Sequence, residues 1–222
     1  YQPANRFGNV VAGFLPSQRE TLDQLFRRLP IPERGQRLLD VGCGNGAFLS
    51  KARDAGWQAV GVDFDPQAAK VARESGIEVH CGSIDLFDEQ AESFDAITLN
   101  HVIEHVHDPV EFLTKVHRLL KPNGVIYIET PNIQSFGAKK FGPNWRGLEI
   151  PRHLILFGVN SLQRLLEQHS FKNIQFKRRR NVAKGMFLAS LRLQSGCSPY
   201  DTKPMALPIE LAARLHSPLQ PL

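Results

Sequence analysis

Short apolar runs alternate with segments of helical period along most of this chain. Runs rich in Val, Ile and Leu at 37–41, 58–62, 77–80, 94–99 and 124–129 read as strands. Between them, 46–55, 66–75 and 109–120 read as helices, with Asp65-Pro66 and Asp108-Pro109 giving the cap-plus-first-turn pattern. Asn123-Gly124 is expected to turn the chain into the fifth strand, Ser161 to cap a helix to about Gln168, and a sixth strand to follow near 173–178. This alternation predicts an α/β, doubly wound, mostly parallel sheet with right-handed crossovers.

The flanks read differently. Ser17-Gln18-Arg19-Glu20 is a capping-box pattern opening an amphipathic helix through Leu29, stopped by Pro30 and Pro32. Such a helix either closes over a pocket or simply packs on the surface. Residues 131–157 interrupt the alternation with Gly, Pro and aromatics, a length that marks a lid or a disordered loop. Phe136, Phe141, Trp145 and Phe157 speak against disorder. Beyond Val182, helical patches at Lys184–Leu193 and Ile209–Leu215 are broken by Ser-Gly, Ser-Pro and Lys-Pro. The expected organisation is therefore a helical cap at 1–35, a core at 36–181 carrying the 131–157 lid, and a helical extension at 182–222.

Composition narrows the function classes. The 222 residues, 42% of them hydrophobic, suit one domain with a real core. No apolar run is long enough to span a bilayer, and the start lacks a signal-peptide pattern. Cys43, Cys81 and Cys197 cannot all pair and lack metal-type spacing, which points to reduced thiols in a cytoplasmic protein. Part of the +5 net charge lies in Lys177-Arg178-Arg179-Arg180. Without interleaved aromatics that run reads as a solvated strand end before it reads as a nucleic-acid site. The chain opens at Tyr1 rather than Met, and we expect a longer natural protein.

The chemistry concentrates at Leu38-Leu39-Asp40-Val41-Gly42-Cys43-Gly44-Asn45-Gly46, a strand breaking into Gly-x-Gly-x-Gly before a helix. Glycines there permit a sharp turn and a ligand against bare backbone. The next strand, Ala59-Val60-Gly61-Val62, ends in Asp63, placed to accept both hydroxyls of a ribose. A carboxylate at Asp40 would repel a pyrophosphate and suits a ligand carrying a positive charge, such as an ammonium group.

These residues resemble the first motif of the class I S-adenosylmethionine-dependent methyltransferases. The likeness extends in family order through Gly61-Val62-Asp63-Phe64-Asp65-Pro66, Phe94-Asp95-Ala96-Ile97, His101-Val102-Ile103-Glu104-His105-Val106 and Leu119-Leu120-Lys121-Pro122-Asn123-Gly124. It is strongest to the branch containing ubiquinone-biosynthesis O-methyltransferases and bacterial small-molecule methyltransferases. The resemblance implies a Rossmann-like sheet and S-adenosyl-L-methionine as cofactor. It implies that Asp40 and the backbone at Gly42, Gly44 and Gly46 hold the methionine moiety, that Asp63 binds the ribose and that Phe64 lies against the adenine. Many relatives read the adenine amino group with a Gly-Asp after strand three. This chain has Gly82-Ser83, so Ser83, Asp85 or a water takes that part, with the Ile84 main chain against the ring.

Asn100 and His101 follow strand four and should lie near the reactive methyl. His101, Glu104 and His105 would share one face if helical. Relatives can carry an additional acid where His101 stands and use that cluster with a divalent metal. Histidine in its place suits hard cations less, so no metal is expected and loop-tying hydrogen bonds are the plainer role. For proton removal from a hydroxyl acceptor, His153 is the first candidate base and His101 the second. Trp145 and Arg146 are candidates to line the acceptor side, with Trp145 alternatively the anchor that folds the lid.

Three functions compete: methyl transfer to an oxygen or nitrogen of a small molecule, a non-catalytic S-adenosylmethionine-binding sensor or scaffold, and nucleic-acid methylation. The last is disfavoured because no Asn/Asp-Pro-Pro-Tyr/Phe motif follows strand four. The family's sheet has seven strands, and only six are credible here. A missing strand would expose sheet edges and favour self-association into a homodimer.

Overall fold

The computed structural model describes residues 27–177 and 180–201. They fall into two compact units, one comprising the chain to Ile103 with Val110–Glu129, the other comprising Glu104–Pro109 and the chain from Thr130.

The first unit is built on five parallel strands: β1 (Arg37–Val41), β2 (Gln58–Asp63), β3 (Glu78–Cys81), β4 (Phe94–Asn100) and β5 (Leu120–Glu129), in the order β3-β2-β1-β4-β5. Helices α1 (Ala47–Asp54), α2 (Pro66–Glu74) and α3 (Pro109–Leu119) make the crossovers. Central strands of a parallel sheet are covered on both faces and so read as continuous apolar runs. Leu38 and Leu39 of β1, and Phe94, Ala96, Ile97 and Leu99 of β4, accordingly have no exposed surface. Leu49 of α1 meets Cys43, Ala69, Ala72, Ile77 and Val79, while Leu38 packs with Ala52, Trp57 and Ala96. The Asp65 carboxylate caps α2 by accepting the Gln67 N–H at 2.8 Å, with Pro66 in the first turn.

Two local expectations change here. β5 begins at Leu120, because Asn123, in the left-handed region at φ 65°, forms an irregularity inside the strand rather than a turn before it. The register steps there from Phe94 opposite Leu120 to Ala96 opposite Val125. The sixth strand near 173–178 does not form among the described residues. Ser170 and Asn173 both adopt positive φ, which breaks extended backbone, and Ile174–Lys177 pair with no strand.

The second unit contains α4 (Phe136–Phe141), a 3₁₀ turn (Gly142–Asn144), α5 (Val159–Gln168) and α6 (Arg180–Gln194). The 131–157 stretch is thus a folded excursion. Ser135 caps α4 through the Ala138 N–H at 3.2 Å. At its base the Ile133 N–H meets the Phe157 carbonyl at 3.0 Å. Ala138, Phe141 and Trp145 pack against Phe187 of α6, with Phe136 stacked on Phe187 at 5.8 Å. α6 contains the expected 184–193 helix. α5 starts earlier than expected: Gly158 is its cap, and Ser161, in the first turn, accepts the Gly158 N–H at 2.9 Å. The 17–20 capping box and the Ile209–Leu215 patch lie outside the described residues, as do Arg178 and Arg179 of the basic run. Among the described residues nothing after Glu129 joins the sheet.

Gly61, mid-β2, is the most closely packed of the described glycines of the first unit. A Cβ there would come within 2.5 Å of Leu49 Cδ1 and 2.6 Å of Cys43 Sγ, both buried. Overpacking of this kind costs about 1–3 kcal/mol. Gly61→Ala should therefore lower stability by that amount in urea denaturation, and an unaltered midpoint would show that α1 can yield.

Candidate functional site

β1 ends at Val41 and the chain turns through Gly42, whose φ is 69°. The Gly42 and Cys43 N–H groups donate to the Val62 carbonyl at 2.8 and 3.2 Å, lashing the loop to the end of β2. A side chain at Gly42 would collide with Val102, 2.7 Å from the ideal Cβ. At Gly44 the corresponding space is open, with nothing within 4 Å. Asp63 accepts the Gly44 N–H on Oδ2 at 2.7 Å and the Asp65 N–H on Oδ1 at 2.9 Å. Each oxygen keeps a further lone pair for a hydroxyl. Phe64 beside it is 77% exposed, a bare ring next to the loop. Open backbone, a half-buried carboxylate and an exposed aromatic together fit a nucleoside-bearing cofactor.

Asp40 has a partner that its sequence did not reveal, on one of its two oxygens; Oδ2 has no hydrogen-bond partner among the described residues. Its side chain has no exposed surface, and Oδ1 accepts from Thr98 Oγ1 at 2.7 Å and from the Arg27 guanidinium. Arg27 also donates to Thr98 Oγ1 at 2.9 Å and lies over the Phe48 ring, 3.7 Å from its centre. Burial pushes the Asp40 carboxyl up, and Arg27 and Thr98 pull it back. The cation that Asp40 meets is supplied by the chain itself. Next to it, burial pushes the Cys43 thiol up to about 12, so it stays protonated.

Ser83 caps the 3₁₀ turn Ile84–Phe87, accepting the Asp85 N–H at 3.2 Å and donating to Asp85 Oδ2 at 2.6 Å. Lys115 reaches Asp85 Oδ1 at 2.6 Å, and these two donors hold the carboxyl below its ordinary range. Ser83 and Asp85 therefore serve each other, and Ile84 is buried. At the end of β4, the His101 N–H donates to the Glu129 carbonyl at 2.8 Å. His101 Nε2 lies 3.6 Å from Glu129 Oε1, and Tyr127 donates its hydroxyl to Glu129 Oε2 at 2.7 Å.

The helical face expected for His101, Glu104 and His105 does not form, since only a three-residue 3₁₀ turn spans Ile103–His105. Glu104 and His105 are instead brought together with His153, one ligand-type atom of each lying within 4.8 Å of the others. The Glu104 carbonyl accepts the Leu154 and Ile155 N–H groups at 2.8 and 3.2 Å. Nδ1 of His105 meets the Arg152 carbonyl at 2.7 Å, and Nδ1 of His153 meets the Gly147 carbonyl at 2.9 Å. These bonds tie the segment, and His153 is buried among them. Trp145 is enclosed by Phe141, Ala138 and Phe187. Arg146 grips Glu149 with both amino groups, at 2.7 and 3.0 Å, and Nη2 also donates to Tyr200 at 2.7 Å. Packing and pairing thus engage both residues that were candidates for the acceptor side.

A family model described as a methyltransferase domain matches residues 15–176. The chain belongs to this methyltransferase family. Among curated relatives, a ubiquinone biosynthesis O-methyltransferase of Xanthomonas oryzae pv. oryzae is 39% identical over 118 residues, covering 50% of this chain and 48% of the relative. One from Idiomarina loihiensis is 36% identical over 139 residues, covering 60% and 53%. The chain spans about half the length of the curated relatives it matches. Among solved structures, an S-adenosylmethionine-dependent methyltransferase from Archaeoglobus fulgidus superposes with a TM-score of 0.58 at 23% identity, over 77% of this chain and 76% of that one. Phosphoethanolamine N-methyltransferase 2 of Haemonchus contortus, solved with S-adenosyl-L-methionine, gives 0.61 at 19% identity over 89% and 46%. At such identities these two establish the fold.

Sequence reasoning missed Arg27, Glu129 and Glu149. Glu129 carried a usable signal, an acid ending a strand, the same one that marked Asp63; Arg27 and Glu149 carried none. Arg146 above all holds the Glu149 carboxyl below its ordinary 4.5. A depressed folded-state value means that stabilisation is full above 4.5 and is lost as pH falls through the lower value. The stability gap between wild type and Glu149→Gln, read from urea denaturation, should stay level from neutrality down to about pH 5.5 and close in stronger acid. A gap independent of pH would remove the ion pair from the account.

Proposed function

We propose that this protein binds S-adenosyl-L-methionine at the carboxyl ends of β1 and β2 and transfers its methyl group to an oxygen of a small-molecule acceptor. The observation that carries the reading is Asp63, braced against Gly44 with lone pairs to spare and Phe64 exposed beside it. Asp63 accepts the ribose hydroxyls, Phe64 covers the adenine, and the open face at Gly44 admits the ligand against the backbone. Asp40, locked by Arg27 and Thr98, fixes the entry to the loop. Bound there, the sulfonium supplies an already activated methyl, so alignment and exclusion of water do most of the work.

Asn100 and His101 leave β4 at the same edge. His101, 48% exposed, is accessible for proton transfer, whereas His153 is buried and held to Gly147; we therefore place His101 first as proton acceptor. The name shared by the curated relatives supports a ring hydroxyl of a quinone precursor as the acceptor. Three free cysteines support a cytoplasmic setting, and among the described residues no helix is long and apolar enough to cross a membrane.

Calorimetry with S-adenosylhomocysteine tests the site. Wild type should bind, and Asp63→Ala should weaken binding by about 1.5–3 kcal/mol, the size of a charge-assisted contact. Unchanged affinity in the variant would remove the ribose assignment. Mass spectrometry of 3,4-dihydroxybenzoate incubated with enzyme and cofactor should show the methyl ether. Tight binding with no product from any phenolic acceptor would favour a non-catalytic sensor.

A further inference from the structure

We propose that Arg27 binds the α-carboxylate of the cofactor's amino-acid end, with Asp40 as the buried counter-ion that holds the guanidinium in place. The assignment rests on the cofactor reading above and adds to it a residue outside the glycine loop. The strand order β3-β2-β1-β4-β5 gives the ligand its direction. Asp63 ends β2 and lies opposite Cys81 at the end of β3. A nucleoside whose ribose sits on Asp63 and whose base is covered by Phe64 leaves the ends of β1 and β4 to the group on its 5′ carbon. In S-adenosyl-L-methionine that group is a sulfonium whose chain ends in an α-ammonium and an α-carboxylate. Asp40, two residues before Gly42, lies opposite Thr98 on those strands.

Arg27 is fixed here from three sides. Nη1 donates to Asp40 Oδ1 and, at 2.9 Å, to Thr98 Oγ1, which donates its own hydrogen to Asp40 Oδ1 at 2.7 Å. The Phe48 ring of α1 has its centre 3.7 Å from Cζ. Both Arg27 bonds use Nη1. The edge formed by Nε and Nη2, which suits a carboxylate held through two parallel bonds, is therefore not spent on Asp40 or Thr98. The Arg27 side chain is 12% exposed and Asp40 has no exposed surface, so an entering ligand meets the guanidinium first.

Charge completes the match. A guanidinium set by a buried carboxylate is already oriented when the ligand arrives, which lowers the ordering cost of binding. Asp40 Oδ2 is buried without a hydrogen-bond partner among the described residues, an acceptor in need of a donor. The α-ammonium next to the carboxylate is such a donor, so each end of the zwitterion finds the opposite sign. A nucleoside without the amino-acid end leaves both groups unanswered.

Calorimetry with three ligands tests this. S-adenosyl-L-methionine and its decarboxylated form differ only in the carboxylate, and 5′-methylthioadenosine lacks the whole amino-acid end. Wild type should bind S-adenosyl-L-methionine about 10- to 100-fold more tightly than the decarboxylated form, the size of a charge-assisted pair of bonds. In Arg27→Gln that gap should close to within about threefold, with 5′-methylthioadenosine affinity within about twofold of wild type. Arg27→Lys keeps a cation for Asp40 but loses the fork, so it should narrow the gap, and it decides the question if Arg27→Gln does not fold. A folded variant with the wild-type gap would overturn the assignment. So would a parallel loss of 5′-methylthioadenosine binding, which would make Arg27 only a brace for the loop. Wild type that binds none of the three would instead overturn the cofactor reading itself, and the assignment with it.

Discussion

A carboxylate without exposed surface sits where β1 runs into the glycine loop, and the first unit has to neutralise it. Burying an ion costs several kcal/mol unless another charge and further hydrogen bonds replace its water. Asp40 Oδ1 has both, the Arg27 guanidinium from the segment before β1 and the Thr98 hydroxyl from β4, while Oδ2 is buried without a hydrogen-bond partner among the described residues. One buried ion therefore couples three stretches distant in sequence. Arg27 is itself fixed by Phe48 at the start of α1, so the helix that follows the loop joins the same arrangement. The loop between Asp40 and Phe48 is held at both ends by this pair, and at its middle by Asp63 on Gly44. A loop fixed at three points presents its backbone to a ligand already ordered, which lowers the entropy lost on binding.

The fold was legible in the sequence to the extent that local rules decide it. Strands buried on both faces cannot help being apolar runs, which is why β1, β2 and β4 emerged with nearly their full bounds. Asp65-Pro66 worked because capping is a contact between residues two apart. The errors come where an interaction outside the window prevails. Asn173-Ile174-Gln175-Phe176 alternates like a strand, but alternation forms a strand only with a partner, and left-handed residues at 170 and 173 turn this one away. Ser161 has the chemistry of a cap and uses it one turn inside the helix, on Gly158. His101, Glu104 and His105 have helical spacing, but a single 3₁₀ turn is too short to make a face of it.

The candidate site divides along the same line. The positions of Asp63, Phe64 and the glycines at one edge of the sheet could be read directly, because a parallel sheet delivers the ends of its strands to one edge and the residues there are consecutive in sequence. Asp40 was located correctly, but its partner was not, since nothing in Phe26-Arg27-Arg28-Leu29 distinguishes the arginine that enters the core from its neighbour. Trp145 meets the alternative given for it, the anchor of the 131–157 stretch, because its indole lies in an aromatic cluster, while the Arg146 guanidinium grips Glu149, a pairing that residue type alone did not suggest.

That asymmetry explains why family membership can be established while the acceptor stays a proposal. Cofactor recognition in this fold uses backbone geometry and one acid at a strand end, features that short motifs preserve and a family model detects. In the 131–157 excursion and α6, the second unit's own packing decides which side chains remain available. Phe136, Phe141, Trp145, Arg146 and Ser190 are drawn into the unit's own interior and its internal pairings. Ile150 and Leu154 remain exposed on the same stretch, at 71% and 47%. Exposed side chains of a loop can change without disturbing the interior of a sheet, so function diverges on loops while a fold persists.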